Sequence, residues 1–299
     1  MEIEWTVTKE ENETLLLKSF LKQQHISKRI LSKVKFQGGS LKVNDQAVRV
    51  REELNQGDRV SLVLPKEDGS QQLNSSHENL DIIYEDEHYI FINKISNVAS
   101  VPSSLYPDHT VANRIKGYIE RKDYFHQTIH TVSRLDKDTS GVMIFAKHTL
   151  AHSFMDQLFK EKKVYKEYIA FAEGTIESLH GLIDEPITRA EDSIIKREVH
   201  PDGKVSRTEY WVMDRFEKAT KIKIQLHTGR THQIRVHFAH IGHPLLGDSL
   251  YGNEKQELIK RQALHCHKIR FMHPFFKKEV TVHAPLPQDM EQLQLTLKK

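Results

Sequence analysis

Cysteine is nearly absent from this chain of 299 residues, which contains only Cys266. A single thiol excludes a disulfide within the chain and any metal site built from several cysteines. Long apolar runs are also lacking, since no segment approaches the length of a signal-peptide core or a membrane span. We therefore expect a protein of a reducing compartment, the cytoplasm, with no membrane partner.

The chain also lacks a large charge excess: 44 Lys and Arg residues against 41 Asp and Glu leave a formal charge of +3. This balance excludes a polycation, so any binding to a polyanion must depend on local clusters of charge. The sequence shows no internal repeat and no low-complexity segment. Its length exceeds that of one average domain and predicts two.

Positive charge does cluster between Leu15 and Phe36, where no acidic residue occurs. The apolar residues of this segment recur at helical spacing and predict two short amphipathic helices, with Ser27 as N-cap of the second. RNA fits such a cluster, because each neutralised phosphate releases counterions. A solvated helical face explains the same charges equally simply. The clustered cations are Lys18, Lys22, Lys28, Arg29, Lys33 and Lys35.

A change of pattern marks the predicted domain boundary. Short strands follow the basic helices, and this compact unit ends near Pro65. The segment from Lys66 to Ser76 is polar, has no apolar periodicity and predicts a linker. We therefore expect one domain over residues 1–75, including the linker, and a second over residues 76–299.

The most informative segment of the second domain is the polar loop from Ser133 to Gly141, which leads into the apolar run from Val142 to Ala146. Functional side chains are often displayed on loops held by a rigid scaffold. The loop offers two candidate carboxylates, Asp136 and Asp138. An Asx turn that closes a strand connection is the alternative interpretation at this point.

Two further motifs lie later in the chain. The segment from Val164 to Ala170 reads VYKEYIA and predicts a strand. The segment from Thr228 to Pro244 reads TGRTHQIRVHFAHIGHP and predicts a helix with Thr231 as its N-cap and Gly242 at its end. The motif continues through Leu246, Gly247 and Asp248 to Tyr251 and Gly252. Other predicted elements are two strands within 81–94, a helix over 149–162 and strands over 205–216, 222–227 and 279–284.

With these three motifs, most of residues 81–287 resembles the RluA-type pseudouridine synthases. The resemblance implies an α+β protein with a mixed, mainly antiparallel sheet and flanking helices and loops. It also implies isomerisation of uridine to pseudouridine in structured RNA, with no cofactor and no metal. The expected partner is ribosomal RNA, with transfer RNA as the alternative, and we expect the chain to act as a monomer.

The resemblance assigns roles to individual residues. Asp136 is implied as the catalytic carboxylate, Arg235 as the cation that keeps it ionised, and Tyr168 as the aromatic platform for the target base. Arg134 is implied to fill the gap left when the uridine leaves its stack, and Ile234 to bind substrate. A carboxylate suits this chemistry as a nucleophile or as a base, and the sequence does not choose between the two. A local pair between Arg134 and Asp138 is the alternative for Arg134.

The basic amino-terminal segment, from Leu17 to Leu64, resembles the S4-like RNA-binding domain. In that family the two helices and the following loop face RNA, which implies contacts from Lys28, Arg29, Lys33 and Lys35. Asp45 stands where glycine is more usual and is expected to alter the turn without removing the surface.

The catalytic domain departs from its family pattern at three positions. Ser133 replaces the histidine that opens the loop motif, whereas Ile95 and Asn97 replace the proline and glycine of an Asn-Lys-Pro-x-Gly segment. We expect Ile95 and Asn97 to change the course of the loop at residues 93–98. We expect Ser133 to leave the carboxylate of Asp136 in place.

Rival functions have weaker support in the sequence. His237, His240 and His243 step by three residues, but no HExxH unit accompanies them, which argues against a zinc site. Ser140 lacks the G-x-S-x-G context of a serine hydrolase. A glycosidase acting through Asp136 and Asp138 is weaker still. The strongest alternative is a non-catalytic RNA-binding or ribosome-assembly protein with an inert second domain.

Overall fold

The structure is a computed structural model that describes residues 1–10, 14–69, 72–252 and 258–299. Ser70 and Gln71 of the predicted linker lie outside the described residues. None of the described helices is both long and apolar enough to cross a membrane.

The amino-terminal part contains two short helices against small antiparallel sheets. Its elements are β1 (Glu2–Thr6), β2 (Leu15–Leu16), α1 (Leu17–Gln23), α2 (Lys28–Phe36), β3 (Ser40–Val43), β4 (Gln46–Ala47), β5 (Glu53–Leu54) and β6 (Arg59–Val63). The larger sheet has the order β1-β6-β3-β4, and β2 pairs with β5. Strand β1 was not predicted, although it pairs with β6 over its full length. The predicted N-cap is confirmed, because the Ser27 hydroxyl accepts from the Ile30 N–H at 3.3 Å.

The turn between β3 and β4 accommodates Asn44 and Asp45 without glycine. Asn44 and Asp45 both have positive φ values, 48° and 68°. Asn and Asp adopt left-handed backbone conformations more readily than other non-glycine residues. The two-residue hairpin loop is therefore formed without glycine.

The rest of the chain is organised around one ten-stranded sheet, and the predicted mixed, mainly antiparallel sheet is confirmed. The main strand order is β12-β15-β16-β11-β17-β10-β8-β7, with β18 paired to β17 and β9 to β10. Its strands are β7 (Ile82–Glu85), β8 (Tyr89–Lys94), β9 (His130–Thr131), β10 (Ser140–Ala146), β11 (Val164–Glu173), β12 (His180–Asp184), β15 (Arg207–Arg215), β16 (Ala219–Leu226), β17 (Leu264–Met272) and β18 (Glu279–His283).

Among the residues that the structure describes, a separate hairpin and four helices complete this part: β13 (Ile187–Arg189), β14 (Arg197–Val199), α3 (Val111–Arg121), α4 (Thr149–Lys160), α5 (Gln233–His240) and α6 (Gln288–Leu297). Helix α5 starts one residue later than predicted. Its N-cap is His232 and not Thr231, and no side chain caps it. The predicted end is confirmed, because Gly242 has a φ of 84° directly after the C-cap.

The main apolar core lies along the sheet, and β10 is buried throughout its length. A second core belongs to the amino-terminal elements and also contains Leu150 of α4. Contacts beside this core join the two parts. Lys33 of α2 donates to the Thr149 hydroxyl at 2.9 Å, and Glu67 accepts from the Thr149 N–H at 3.0 Å.

Candidate active site

The loop from Ser133 to Thr139 connects β9 to β10 at the centre of the sheet. A turn closes it, because the Thr139 N–H donates to the Asp136 carbonyl at 3.1 Å. The side chain of Asp136 keeps 28% of its surface exposed. The sheet therefore presents this carboxylate at its surface without leaving it fully solvated.

A buried lysine fixes the backbone of this loop. Lys94, at the end of β8, is 2% exposed. Its Nζ donates to the carbonyls of Ile95, Lys137 and Thr139 at 2.9, 2.8 and 2.8 Å. Three acceptors match the three donors of an ammonium group. Burial lowers the pKa of Lys94 to about 7, although Asp138 and Asp136 act in the opposite direction.

The segment after Lys94 adds a second set of bonds. The Ser100 hydroxyl donates to the Leu135 carbonyl at 2.5 Å and accepts from the Leu135 N–H at 3.1 Å. The Val98 N–H donates to the Lys137 carbonyl at 3.2 Å. Asn97 has a φ of 62°, a left-handed conformation that asparagine tolerates. Asparagine can therefore serve at the position where the family pattern has glycine.

Arg261 holds the far side of the loop. Its Nη1 donates to the Asp138 carbonyl at 3.0 Å. Its Nε and Nη2 form a two-bond pair with Asp289 at 2.6 and 2.9 Å. Bidentate pairing of this kind fixes the plane of the guanidinium. The main-chain carbonyls of the loop are therefore bound from two sides, by Lys94 and by Arg261.

Gly141 is the point where the loop enters the sheet. β10 pairs there with β17 in a parallel arrangement, Gly141 opposite Cys266. Gly141 has a φ of 111°, and a Cβ atom at this position would lie 2.2 Å from the Cys266 carbonyl oxygen. Only glycine allows this approach.

Arg235 is brought to Asp136 from 99 residues further along the chain. Its Nη1 lies 3.3 Å from Asp136 Oδ2. The stronger pair is with Asp248, whose carboxylate accepts from Nε at 2.7 Å and from Nη2 at 2.8 Å. Burial alone would lower the pKa of Arg235, but the hydrogen bonds and charge of Asp248, with a smaller part from Asp136, raise it. Asp248 thus orients a permanent cation that Asp136 shares.

The residue before α5 also faces Asp136. His232 Nε2 lies 3.9 Å from Asp136 Oδ2, and its Nδ1 lies 2.9 Å from the Tyr251 hydroxyl. That hydroxyl accepts from the Arg197 N–H at 2.8 Å, and the Tyr251 ring lies 5.1 Å from the Arg235 guanidinium. His232 has a φ of 58°, a conformation that costs a non-glycine residue roughly 1 kcal/mol or more.

Tyr168 lies in β11, with Cys266 of β17 opposite it, and is 5% exposed. Burial raises the pKa of its phenol well above the usual value, and the neighbouring Cys266 and the negative charge of Asp136 add to the effect. The tyrosine is therefore a neutral phenol within the electrostatic reach of Asp136. Ile234, beside Arg235 on α5, is 4% exposed and belongs to the main core.

Ser133 and Arg134, the first two residues of the loop, differ in exposure. Arg134 is exposed, and within the described parts of the chain no ion pair joins it to Asp138. The Ser133 hydroxyl is buried and accepts from the Ile144 N–H at 3.0 Å. Serine at this position therefore bonds to the neighbouring strand.

The four cations predicted to contact RNA have different surroundings. Lys28, Arg29 and Lys35 are exposed, and Lys35 Nζ lies 4.9 Å from the centre of the Phe36 ring. Lys33 is half-buried, bonded to Thr149 and 4.0 Å from Glu67. It binds the second part of the chain, so we do not count it among the free cations of α2.

Sequence reasoning missed Lys94, Ser100, His232, Asp248 and Arg261 as parts of this site. His232 and Asp248 stand inside the third motif, which was a usable signal. Lys94 is the lysine of the segment compared with Asn-Lys-Pro-x-Gly, which was also a usable signal. Ser100 and Arg261 bind main-chain atoms of the loop, and such contacts leave no recognisable spacing in a sequence. Histidines considered for a metal have other partners: His237 bonds to Thr208 and to the Glu185 carbonyl at 2.8 and 2.9 Å.

Both the sequence and the fold of this chain are similar to those of known proteins. Residues 88–240 match the family described as RNA pseudouridylate synthase. An uncharacterized RNA pseudouridine synthase of Bacillus subtilis, YjbO, is 43% identical over 93% of this chain and 98% of its own length. Ribosomal large subunit pseudouridine synthase D of Escherichia coli is 39% identical over 72% of this chain and 69% of its own. The solved human RNA pseudouridylate synthase domain containing 1 has a TM-score of 0.59 at 25% identity, covering 75% of this chain and 96% of its own.

The fold and the matched segment define a pseudouridine synthase. The chain belongs to the RNA pseudouridylate synthase family and is an isomerase that acts on RNA.

Proposed function

We propose that Asp136 is the catalytic carboxylate of this synthase, with Arg235 as its counter-ion and Tyr168 as the platform for the target base. The contact that carries the proposal is the 3.3 Å approach of Arg235 Nη1 to Asp136 Oδ2. A fixed guanidinium beside a carboxylate interacts favourably with its negative charge. The reaction breaks the bond from N1 to the sugar, rotates the base and joins the sugar to carbon 5. Carbon 5 then loses its hydrogen as a proton and N1 takes up a proton, so the composition of the nucleoside is unchanged.

The substrate must leave its stack before Asp136 can reach it, which costs a few kcal/mol. We propose that Arg134 fills the vacated space, since its planar head is exposed directly beside the catalytic loop. Ile234 would support the nucleotide from α5. We also propose that the chain acts as a monomer, because the contact between Asp136 and Arg235 forms within one chain and needs no second subunit.

We also propose that residues 1–75 form an S4-like RNA-binding domain. Its support is the motif resemblance, the two-helix unit and the exposed cations Lys28, Arg29 and Lys35. Phosphate contacts of this kind position RNA and do not read its sequence. Residues 76–299 would then form the catalytic domain.

Ribosomal RNA is the substrate we propose, because a relative named ribosomal large subunit pseudouridine synthase D is 39% identical to this chain. The cytoplasm is the location we propose, because a single cysteine suits a reducing compartment. The test is to map pseudouridines in RNA from cells with the gene, without it and with an Asp136→Ala copy. We expect a site in ribosomal RNA that is present only with the wild-type gene. A site restored by the Asp136→Ala copy would contradict the role of Asp136, and a site in transfer RNA would contradict the substrate.

A further inference from the structure

The contacts of the catalytic carboxylate are unequal. Arg235 Nη1 and His232 Nε2 both face Oδ2 of Asp136, at 3.3 and 3.9 Å. Among the described residues, no side chain or N–H donates to Oδ1. One oxygen is therefore anchored by the protein and the other is free to meet the nucleotide.

The direction of the imidazole is set from its other side. The Tyr251 hydroxyl already accepts from the Arg197 N–H, so its own hydrogen is available to His232 Nδ1 at 2.9 Å. A neutral imidazole that accepts at Nδ1 carries its hydrogen on Nε2. That is the nitrogen directed at Asp136.

The protonation state agrees with this arrangement. Burial lowers the pKa of His232, Asp136 and Asp248 oppose the shift, and Arg235 and Arg197 favour it. The ring is therefore neutral near pH 7. These are the charged groups that face it, from the catalytic loop, from α5 and the segment after it, and from β14.

We infer that His232 is a positioning residue: its Nε2–H donates to Oδ2 of Asp136 when the nucleotide enters the cleft, and this leaves Oδ1 as the reacting oxygen. Catalytic hydrogen bonds are often long in the unliganded enzyme and shorten in the complex. The left-handed backbone of His232 points to the same role, because strain of this kind collects at functional sites. The inference rests on the proposed role of Asp136.

The test compares two substitutions at this position in the full-length protein. His232→Asn tolerates the left-handed backbone but is too short to keep both contacts. His232→Gln has an amide that can donate to Asp136 and an oxygen that can accept from Tyr251. His240→Asn, at the exposed end of the same helix, is the control. The assay follows release of the carbon-5 hydrogen from uridine-labelled total RNA of a strain that lacks the gene, as a function of pH.

We expect His232→Asn to lower kcat about 10-fold or more, the typical effect of losing a hydrogen bond to a charged group. KM should change little. The acid limb of the kcat profile should move up by roughly one pH unit, because a carboxylate that loses a donor takes up a proton more easily. His232→Gln should recover much of the rate and the original limb, and Tyr251→Phe should shift the limb in the same direction by less.

Wild-type kinetics for His232→Asn would overturn the inference, as would a uniform loss of rate with an unmoved acid limb in both His232 variants. Thermal unfolding curves identify any variant that fails to fold. If the His232 variants fail to fold, the acid limb of the kcat profile of Tyr251→Phe tests the inference instead. Asp136→Asn, assayed in parallel, distinguishes failure of the proposed role of Asp136 from failure of the role of His232. If Asp136→Asn is active, the proposed catalyst is wrong; if it is inactive while His232→Asn is unaffected, only the role of His232 fails.

Discussion

The cations around the loop of Asp136 and the cations of α2 represent two uses of positive charge in one chain. Lys94, Arg235 and Arg261 are buried, and each has two or more fixed acceptors. Lys28, Arg29 and Lys35 are exposed on a helix face. Buried cations hold atoms in place and are costly to leave unpaired, whereas exposed cations attract a polyanion in a way that salt screens. Substitutions in the two regions should therefore fail in different ways.

Removal of the main partner of Arg235 should have the largest effect. Asp248→Ala leaves a buried guanidinium whose remaining ion pair is the longer one with Asp136, and breaking such a buried pair costs about 3 to 5 kcal/mol. We expect the melting temperature and kcat to fall together, as measured by thermal unfolding and by release of the carbon-5 hydrogen. Asp184→Ala, at an exposed pair with Arg207, is the matched control. Equal effects of the two substitutions would remove the distinction between buried and exposed pairs.

The buried lysine should follow. Lys94→Met keeps most of the volume but removes a donor from the carbonyls of Ile95, Lys137 and Thr139, of which Lys137 keeps the Val98 N–H. The cost is about 1 to 3 kcal/mol for each carbonyl left without a partner. We expect a large fall in kcat, because the turn that carries Asp136 loses its support, with a smaller change in KM. Lys218→Met, at an exposed turn, should leave kcat unchanged. A Lys94→Met protein with normal kcat would show that the backbone bonds of the loop are not needed for its geometry.

Acid should destabilise the folded protein through two buried histidines beside the junction of the two parts. Burial lowers the pKa of His88 to about 4 and of His148 to about 3, and their contact is 3.0 Å. The unfolded chain binds protons at these residues from about pH 6.5 downward, while the folded chain does not. Stability should therefore fall as the pH decreases below about 6.5, by up to about 1.4 kcal/mol per pH unit for each histidine.

Denaturant unfolding between pH 7 and pH 4 measures this slope. His148→Gln should flatten it, whereas an exposed control, His200→Gln, should not. A stability that is constant over this range would contradict the buried, neutral state of the pair.

The exposed cations should give the smallest effect on stability and a specific effect on binding. Replacing Lys28, Arg29 and Lys35 with Gln should leave the melting temperature nearly unchanged and weaken RNA binding. The slope of log K against log salt should decrease by about 2, since each phosphate contact contributes about 0.7 to 0.9. Lys218, Lys298 and Lys299, replaced together, are the control. An unchanged slope for the α2 variant would remove the RNA-binding role of this surface.

Periodicity and motifs predicted the elements that carry a strong local signal. The strands around residues 81–94, helix α4, most of β11, β15 and β16, and the end of α5 are confirmed. Helix α3 was missed, although its apolar residues recur at helical spacing. Its cap pairs Thr110 with Asn113 where the usual pattern has Glu or Gln, and Gly117 interrupts the run.

In the candidate site, too, some residues were predicted from motifs and others were not. The family resemblance assigned Asp136, Tyr168 and Arg235 to one site. Asp136 and Arg235 lie 3.3 Å apart, and the catalytic roles of the three residues stay predictions. The share that Asp248 takes of Arg235 was not foreseen, because a bidentate pair depends on the fold after the helix. Lys94 matched a family segment, but its contacts could not be predicted, since its bonds go to main-chain carbonyls, which every residue has. The positive φ values at Asp45 and Asn97 explain two departures from family patterns that the sequence alone left open.

In the mechanism we propose, the anchored carboxylate of Asp136 performs the isomerisation. Asp136→Asn keeps the size of the side chain and removes its charge, so the most direct measurement compares its release of the carbon-5 hydrogen with that of the wild-type protein. The RNA should come from cells that lack the gene, and RNA affinity should be measured in parallel. We expect no release above background, with affinity within about threefold of wild type, a difference of less than 1 kcal/mol. Release at the wild-type rate would contradict the account.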